Sequence, residues 1–182
     1  MTGMSTSPRS RHAGFTLLEL IVSICVLAIL AAIAAPSLGT LLERQRAVAA
    51  TNALVAHLSL ARLTAITHTV FCPSASGTGC DAGTDWSGGW MLFLDRDGNR
   101  RPDSADDIVR VERTALSQHL RLTSSSGRVQ ARYLPDGRST GSNLTISVCN
   151  KRGELLNTVV VNNVGRIRST RATPSSPCPR GT

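Results

Sequence analysis

The sequence predicts an α+β protein in which one long N-terminal α-helix packs on a C-terminal antiparallel β-sandwich. An uncharged apolar run extends over residues 20–42, and apolar residues then recur at helical spacing to about residue 67. From residue 68 onward the helical period gives way to short segments that are rich in β-branched residues and bounded by turn-forming residues. A chain of 182 residues is long enough for one such domain and an N-terminal appendage.

The apolar run follows a short polar leader that contains Arg9 and Arg11. A secretory signal peptide would instead place a cleavage site after a short apolar core. The run from Leu20 to Leu42 is long enough to cross a bilayer of about 30 Å as a helix. Glu19 stands at its start, where a carboxylate costs on the order of 3 kcal/mol on insertion scales. The sequence therefore predicts a membrane-spanning helix in which Glu19 needs a counter-charge.

The residues at this junction, Gly14-Phe15-Thr16-Leu17-Leu18-Glu19, resemble the type III signal of type IV pilins and pseudopilins. In that family a prepilin peptidase cuts after the glycine and methylates the new N-terminal residue. The resemblance implies cleavage between Gly14 and Phe15, with residues 1–14 as the leader peptide. The α-amino group of Phe15 would then be the counter-charge of Glu19, on the same chain or on the preceding subunit of a filament. Glu19 is thus expected to be an assembly determinant; the alternative is a carboxylate that reaches the headgroup region alone.

We expect a single helix from Phe15 to about Thr67, about 80 Å long at 1.5 Å per residue. Its first part, residues 15–42, would be the membrane anchor and, in a pilin, the filament core. Its second part, residues 43–67, is amphipathic and is expected to pack on the globular domain. Pro36 interrupts the first part, and a proline inside a helix removes a hydrogen bond and favours a kink.

Residues 68–182 are predicted to form a β-rich globular domain with a basic C-terminal tail. The candidate strands are TVFC, WMLFLD, DIVRVER, LRLTS, RVQARYL, NLTISVC, TVVVNN and RIRST. The segment DWSGGWMLFLDRDGNRRPDSADDIVRV resembles the FimT/GspH group of pilin-like proteins, in which a tryptophan-containing strand runs into an Asp/Asn/Gly turn and then into an acid-flanked apolar strand. The resemblance implies the type IV pilin fold.

Four of the five cysteines lie beyond the apolar run, and an even number there is typical of disulfides in an oxidising compartment. Three pairings are possible. We favour Cys72–Cys80, which closes a short loop, and Cys149–Cys178, which pins the tail. Cys25 lies inside the apolar run and is expected to be an unpaired packing residue. A structural zinc site is the alternative, but no C-x-x-C or Cys/His spacing supports it.

Acidic and amide residues alternate in the segment DRDGNRRPD, residues 95–103, as they do at the opening of a calcium loop. However, the glycine is fourth rather than sixth, no glutamate closes the ring, and three arginines would repel a cation. A hairpin turn whose Asp and Asn side chains cap their own backbone is the favoured interpretation. We expect no metal, no cofactor and no enzyme activity, because no catalytic grouping stands at usable spacing. His57 and His68 are expected to be packing or surface residues.

The basic charge is concentrated in the C-terminal part of the chain. Residues 114–182 hold ten basic and two acidic residues, and arginine accounts for all basic residues of the chain except Lys151. Arginine binds phosphate and carboxylate bidentately, so this composition is compatible with a polyanionic partner. A solubility or assembly charge is the alternative, and composition alone does not decide between the two.

The segment Gly165-Arg166-Ile167-Arg168 carries the sharpest functional prediction. In a strand, Arg166 and Arg168 would project on the same face while Ile167 turns to the core, and Gly165 would permit an unusual backbone conformation in the preceding turn. A Gly-Arg-x-Arg element near the C-terminus is characteristic of FimT-like minor pilins, which bind DNA during uptake for natural transformation. The resemblance implies electrostatic binding of double-stranded DNA that is largely blind to sequence.

Further basic residues are predicted to belong to the same surface. Arg171 follows the motif, and the Cys149–Cys178 disulfide would hold the tail near Lys151 and Arg152, so that one compact cationic rim is predicted. A second basic series consists of Arg128, Arg132 and Arg138. We interpret it as a solvated strand face that joins the rim only if the fold brings it beside Arg166.

Three functions remain open at this level. The first is a DNA-capturing minor pilin, the second a GspH-like structural pseudopilin at the tip of a type II secretion system, and the third a minor pilin that primes pilus assembly. Each implies contacts with other pilins and with a prepilin peptidase. Each also implies a single-pass inner-membrane protein with a periplasmic globular domain, which in a pilus reaches the surface of a Gram-negative cell.

Overall fold

A computed structural model of the chain describes residues 16–113, 118–173 and 175–179. One helix, α1, spans Leu17–Leu63, and a short 3-10 helix spans Ala105–Asp107. The strands are β1 (His68–Pro73), β2 (Trp90–Asp95), β3 (Ile108–Glu112), β4 (Leu120–Ser124), β5 (Ala131–Tyr133), β6 (Leu144–Asn150), β7 (Leu155–Val161) and β8 (Ile167–Arg171). They form two antiparallel sheets, in the orders β3-β2-β1-β5 and β4-β6-β7-β8. The predicted α+β architecture is confirmed.

The chain divides between Thr40 and Leu41 into two compact units. In the N-terminal unit, Leu17–Ala34 has a mean hydropathy of 2.8 and is long and apolar enough to cross a membrane. The Glu19 backbone N–H donates to Thr16 Oγ1 at 3.3 Å, which is the contact expected of a threonine at a helix N-terminus. The predicted cleavage point between Gly14 and Phe15 lies outside the described residues.

In the second unit, one face of α1 is buried against both sheets. Ala47, Leu54, Leu58 and Ala61 recur at intervals of three, four and seven residues and are at most 1% exposed. They share one apolar core with residues of both sheets, including Phe71, Leu92, Leu122, Ile146, Val159 and Val161. The alanines let the strands approach the helix closely, and the leucines fill the space between the sheets. The amphipathic pattern in the sequence therefore corresponds to a buried interface between the helix and the sheets.

Both predicted disulfides are present in the structure. Cys72–Cys80 joins β1 to the following loop and packs in a second apolar cluster on the other face of the first sheet. Cys149–Cys178 ties the C-terminal tail to β6. The Cys178 N–H donates to Gly153 O at 2.8 Å, so the tail lies along the β6–β7 turn as predicted.

The acidic turn after β2 bonds to its own backbone, as predicted. Asp97 Oδ1 accepts from the Asn99 N–H at 3.1 Å, and Asp95 Oδ1 accepts from the Arg100 N–H at 3.1 Å. Asp95 is fully buried at the end of β2. Among residues 16–113, 118–173 and 175–179, no three His, Cys, Asp or Glu side chains are close enough to hold a metal ion.

Candidate nucleic-acid interface

The Gly-Arg-x-Arg segment begins in the turn of the β7–β8 hairpin and continues into β8, which lies at the edge of the second sheet. Val161 pairs with Ile167 and Val160 with Arg168, so the strand alternation of β7 continues across to β8. Ile167 packs against the main core, whereas Arg166 and Arg168 are exposed. The two guanidinium groups therefore leave the sheet on the side away from the helix.

Asn162 and Gly165 fix the backbone from which Arg166 projects. The Asn162 side-chain Oδ1 accepts from the Arg166 N–H at 2.8 Å, and the Asn162 carbonyl accepts from the Gly165 N–H at 3.0 Å. Gly165 has φ +78°, a conformation that other residues rarely adopt. A Cβ at this position would also collide with the backbone carbonyl of Gly137. Glycine is required here for two independent reasons.

The carbonyl that Gly165 approaches belongs to a second turn, between β5 and Ser139. The Ser139 N–H donates to Asn163 O at 3.0 Å, which joins the two turns directly. Arg138 lies on the same turn, is exposed and pairs with Asp136, with 2.7 Å between Nε and Oδ2. The structure thus brings Arg138 into the neighbourhood of Arg166.

Arg62, in the last turn of α1, lies against the same two turns from the helix side. A Cβ built on Gly137 would lie 3.2 Å from Arg62 Nε, and one built on Gly165 would lie 3.4 Å from the same atom. The Arg62 guanidinium therefore lies against both turns. We call Arg62, Arg138, Arg166 and Arg168 the turn cluster. Of these four, only Arg138 forms an ion pair within the described residues.

Lys151 and Arg152 lie in the β6–β7 turn, at the other end of β7. From Leu155 to Val160, the partner of Arg168, the strand advances about 17 Å at 3.3–3.4 Å per residue. The prediction of one compact rim is therefore wrong. A strand sends its two flanking turns to opposite ends of the sheet, and a disulfide to the first turn cannot bring the tail to the second.

Arg152 is also engaged in a contact that holds the domain together. Its Nη2 lies 2.8 Å from Glu43 Oε2 on α1 and 3.7 Å from Glu154 Oε2. Two carboxylates thus face this one guanidinium. Arg171 pairs with Asn157 in the strand register and, three residues beyond Arg168, points to the opposite face of β8.

Arg128 and Arg132 do not form the solvated strand face that the sequence suggested. Arg128 is 8% exposed and donates from Nε to Gln130 O, from Nη1 to Ser142 O and from Nη2 to Ser139 Oγ. Arg132 is directed at Asp95, with 3.3 Å between Nη2 and Oδ2. The interpretation is wrong for these two residues because loop carbonyls and a buried carboxylate supply partners that strand periodicity does not reveal.

Fold and processing signal together define a type IV pilin-like protein. The family model described as "Type II transport protein GspH" matches residues 50–165, and that described as "Prokaryotic N-terminal methylation motif" matches residues 9–35. The chain belongs to the GspH family. No curated protein matches it.

The fold is similar to that of the type IV minor pilin FimU from Pseudomonas aeruginosa in two crystal forms. One comparison gives a TM-score of 0.52 at 18% identity and covers 73% of this chain and 97% of FimU. The other gives a TM-score of 0.55 at 18% identity and covers 76% of this chain and 96% of FimU. At this identity the likeness concerns the fold alone.

Family membership carries general consequences. The N-terminal methylation motif implies processing as a prepilin, and membership of this pilin-like family implies association with other pilins. The apolar helix and the motif together indicate membrane anchoring. Members of this family and FimU are structural proteins rather than enzymes.

Proposed function

We propose that this chain is a minor pilin of a type IV pilus that binds double-stranded DNA through the turn cluster during DNA uptake for natural transformation. The observation that carries the proposal is the exposure of Arg166 and Arg168 together with the absence of a carboxylate partner for either among the described residues. Both are exposed, both project from a hairpin return whose backbone is locked, and neither pairs with a carboxylate among the described residues. Arg62, which lies against the same turn from the helix side, adds a third guanidinium with no carboxylate partner among the described residues.

The cluster suits phosphates rather than base edges. Guanidinium groups bind phosphate oxygens with two parallel hydrogen bonds. No recognition helix accompanies them among the described residues, since α1 ends at Leu63 with one face in the core. Binding is therefore expected to be independent of sequence and strongly dependent on salt.

The same proposal includes the processing and location of the chain. Prepilin peptidase would cut between Gly14 and Phe15 and methylate Phe15, whose amino group would pair with Glu19 of the same or a neighbouring subunit. The apolar helix would hold the subunit in the inner membrane of a Gram-negative cell, with the globular domain in the periplasm, before assembly into the pilus. Two disulfides in the globular domain favour such an oxidising compartment.

A second candidate function is a structural pseudopilin at the tip of a type II secretion pseudopilus. The matched family model, described as a type II transport protein, favours it. In that role the arginines of the turn cluster would pair with acidic side chains of a neighbouring subunit. The two candidates differ in one property, which is affinity for a free nucleic acid.

The test is a fluorescence-anisotropy titration of random-sequence duplex DNA with the full chain in neutral detergent, at two salt concentrations. The double variant Arg166→Gln/Arg168→Gln is compared with Arg101→Gln/Arg110→Gln, which removes the same charge from exposed positions outside the cluster. We expect salt-sensitive binding that weakens about tenfold or more in the first variant, roughly 1.4 kcal/mol, and changes little in the second. Absence of binding at low salt would favour the pseudopilin, and equal loss in both variants would remove the cluster from the proposal.

A further inference from the structure

An open cleft of about 340 Å³ lies beside the turn between β5 and Ser139, which we call the β5 hairpin. Three arginines line it, and we call it the arginine cleft. Its lining consists of Arg100, Arg128 and Arg132 together with Gly127, Val129, Gln130, Thr140, Gly141 and Ser142. Apart from the arginines, the lining side chains are small, neutral or polar, so the cleft is positive and accessible.

Arg128 is a buried cation without a counter-ion. Its guanidinium is held by three neutral oxygen acceptors, and it forms no ion pair with a carboxylate within the described residues. Tyr133 cannot supply the missing charge, because burial raises its pKa and keeps the phenol neutral. Removal of an ion from water is costly unless an opposite charge accompanies it. Two of the five N–H donors of this guanidinium remain for another partner.

Arg132 is only partly satisfied by its neighbour. Its Nη2 lies 3.3 Å from Asp95 Oδ2, but that oxygen accepts no hydrogen bond within the described part of the chain. Arg132 Nε is buried and likewise has no acceptor there. Asp95 thus faces the Arg132 guanidinium alone, and the residues that line the cleft include three arginines and no carboxylate.

Arg100, which lines the cleft, has an unusual backbone conformation. Its φ of 64° lies in the left-handed region, which arginine rarely adopts. The Arg100 N–H donates to Asp95 Oδ1 at 3.1 Å, so the same carboxylate that faces Arg132 also fixes this turn. A residue kept in such a conformation by its surroundings is a frequent mark of a binding site.

We propose that the arginine cleft binds a phosphate group, and that in the DNA complex this is a backbone phosphate of the duplex held by the turn cluster. Three guanidiniums around one cleft present the forked donors that a phosphate oxyanion accepts. The cleft and the turn cluster share one structural support. Ser139 Oγ accepts from Arg128, while the Ser139 N–H donates to Asn163 O in the β7–β8 turn.

The second part of this proposal rests on the proposed function, whereas the first part does not. Phosphate binding by the cleft needs only the arginines that line it. A duplex that contacts the turn cluster would reach the cleft by crossing the β5 hairpin, which also carries Arg138. The track of positive charge then runs from β8 across this hairpin to the turn after β2.

The first experiment titrates the full chain in detergent with inorganic phosphate, exchanged against chloride at constant ionic strength, and follows the arginine Nε–H resonances by NMR. The variant Arg100→Asn removes a guanidinium and keeps a residue type that tolerates positive φ. Arg101→Asn is the matched control, because Arg101 is exposed on the same turn and does not line the cleft. Arg128 is left intact, since its loss would leave loop carbonyls unpaired.

We expect saturable shifts of the Arg128 and Arg132 resonances, with a Kd that rises about tenfold in Arg100→Asn and stays within a factor of two in Arg101→Asn. The Arg166→Gln/Arg168→Gln variant should bind inorganic phosphate as well as the unmodified chain does. Shifts that do not saturate, or equal losses in the two Asn variants, would overturn the phosphate site.

The second experiment repeats the duplex titration with the same Asn variants. Loss of one phosphate contact should reduce the magnitude of the log–log salt slope by about 0.9 in Arg100→Asn and leave it unchanged in Arg101→Asn. If inorganic phosphate binds but the slope does not change, the DNA source of the phosphate is refuted and the site itself stands. If the chain binds no duplex at all, the proposed function fails while the first titration still decides the cleft.

Discussion

The two turns that flank β7 share one hydrogen-bond pattern but differ in whether a carboxylate pairs with their arginine. In the first, Asn150 Oδ1 accepts from the Glu154 N–H at 2.8 Å; in the second, Asn162 Oδ1 accepts from the Arg166 N–H at 2.8 Å. Each turn has a glycine at its fourth position whose N–H donates back to the asparagine carbonyl, and each glycine has a positive φ. The sequences NKRGE and NNVGR thus form two turns of the same type.

The surroundings of the two turns differ. In the first, Arg152 lies between Glu43 and Glu154, and the tail disulfide covers the turn. In the second, Arg166 has no carboxylate partner within the described residues and stands beside further arginines. The local sequence builds the turn, but the neighbours that tertiary structure provides decide whether its charge is used internally or remains for a partner.

The largest expected difference between the turns concerns their glycines. Gly165→Ala places a Cβ against the Gly137 carbonyl at a positive φ and should lower the free energy of unfolding by about 3–5 kcal/mol. Gly153→Ala meets no atom within 4 Å and should cost only the conformational term, about 1–2 kcal/mol. Thermal unfolding of the full chain in detergent, with the ellipticity of the sheets as the signal, measures both. Equal losses would contradict the packing of the second turn.

The disulfide beside the first turn provides the next contrast. Its cysteines are 29 residues apart, so replacing both Cys149 and Cys178 by Ser should lower the free energy of unfolding by about 3 kcal/mol. Duplex affinity at a temperature where this variant is folded should stay within a factor of two, because the disulfide lies at the far end of β7. A large loss of affinity in a folded variant would mean that the tail reaches the turn cluster.

A smaller effect is expected from Arg152→Gln. Glu43 loses its partner, but Arg152 is 62% exposed and solvent screens the pair, so the free energy of unfolding should fall by less than about 1 kcal/mol. Urea unfolding compared with Lys151→Gln, which breaks no ion pair in the described structure, isolates this contribution. A null difference would show that the two carboxylates bind Arg152 too weakly to matter.

Acid should affect both turns alike through the core they share, and this is the smallest change. Trp90 Nε1 donates to His57 Nδ1 at 2.9 Å, which requires an unprotonated nitrogen, and burial together with Arg110 lowers the pKa of His57 below its ordinary value. The stabilisation is complete above about pH 6.5, the pKa of an unfolded His, and is lost as the pH falls through the lower folded value. Between pH 5 and 7.5 the melting temperature should vary less with pH in His57→Phe than in the unmodified chain. An unchanged slope of melting temperature against pH would show that His57 contributes nothing to the pH dependence.

The sequence could predict those parts of the structure that follow from local periodicity. Strand alternation placed Ile167 in the core and Arg166 and Arg168 outside, and the structure agrees. Cysteine spacing led to the correct pairings because one loop is short and the other ends in the tail. The strand RVQARYL was overextended, since only Ala131–Tyr133 pairs and the residues before it bend around the Arg128 guanidinium.

The missed residues are those whose role depends on distant parts of the chain. Arg62 reaches the site from the end of the helix, about a hundred residues before the motif, and its helical pattern alone marks it as an exposed side chain. The sequence places Lys151 and Arg152 near the tail through the Cys149–Cys178 disulfide, but it does not show that the length of β7 separates them from Arg166. In the sequence nothing distinguishes Arg128 from other arginines in predicted strands, although in the structure it is buried and donates to three oxygen acceptors.

We propose that the turn at one end of β7 binds DNA and that the turn with the same hydrogen-bond pattern at the other end does not. The direct measurement is the salt dependence of duplex binding by three full-chain proteins: unmodified, Arg166→Gln/Arg168→Gln, and Lys151→Gln/Arg152→Gln. Each variant loses two positive charges from a turn with the same backbone. We predict that the log–log slope falls in magnitude by about 1.8 in the first variant and by less than about 0.5 in the second. Equal reductions would contradict the account, because they would mean that net charge, and not the turn cluster, determines binding.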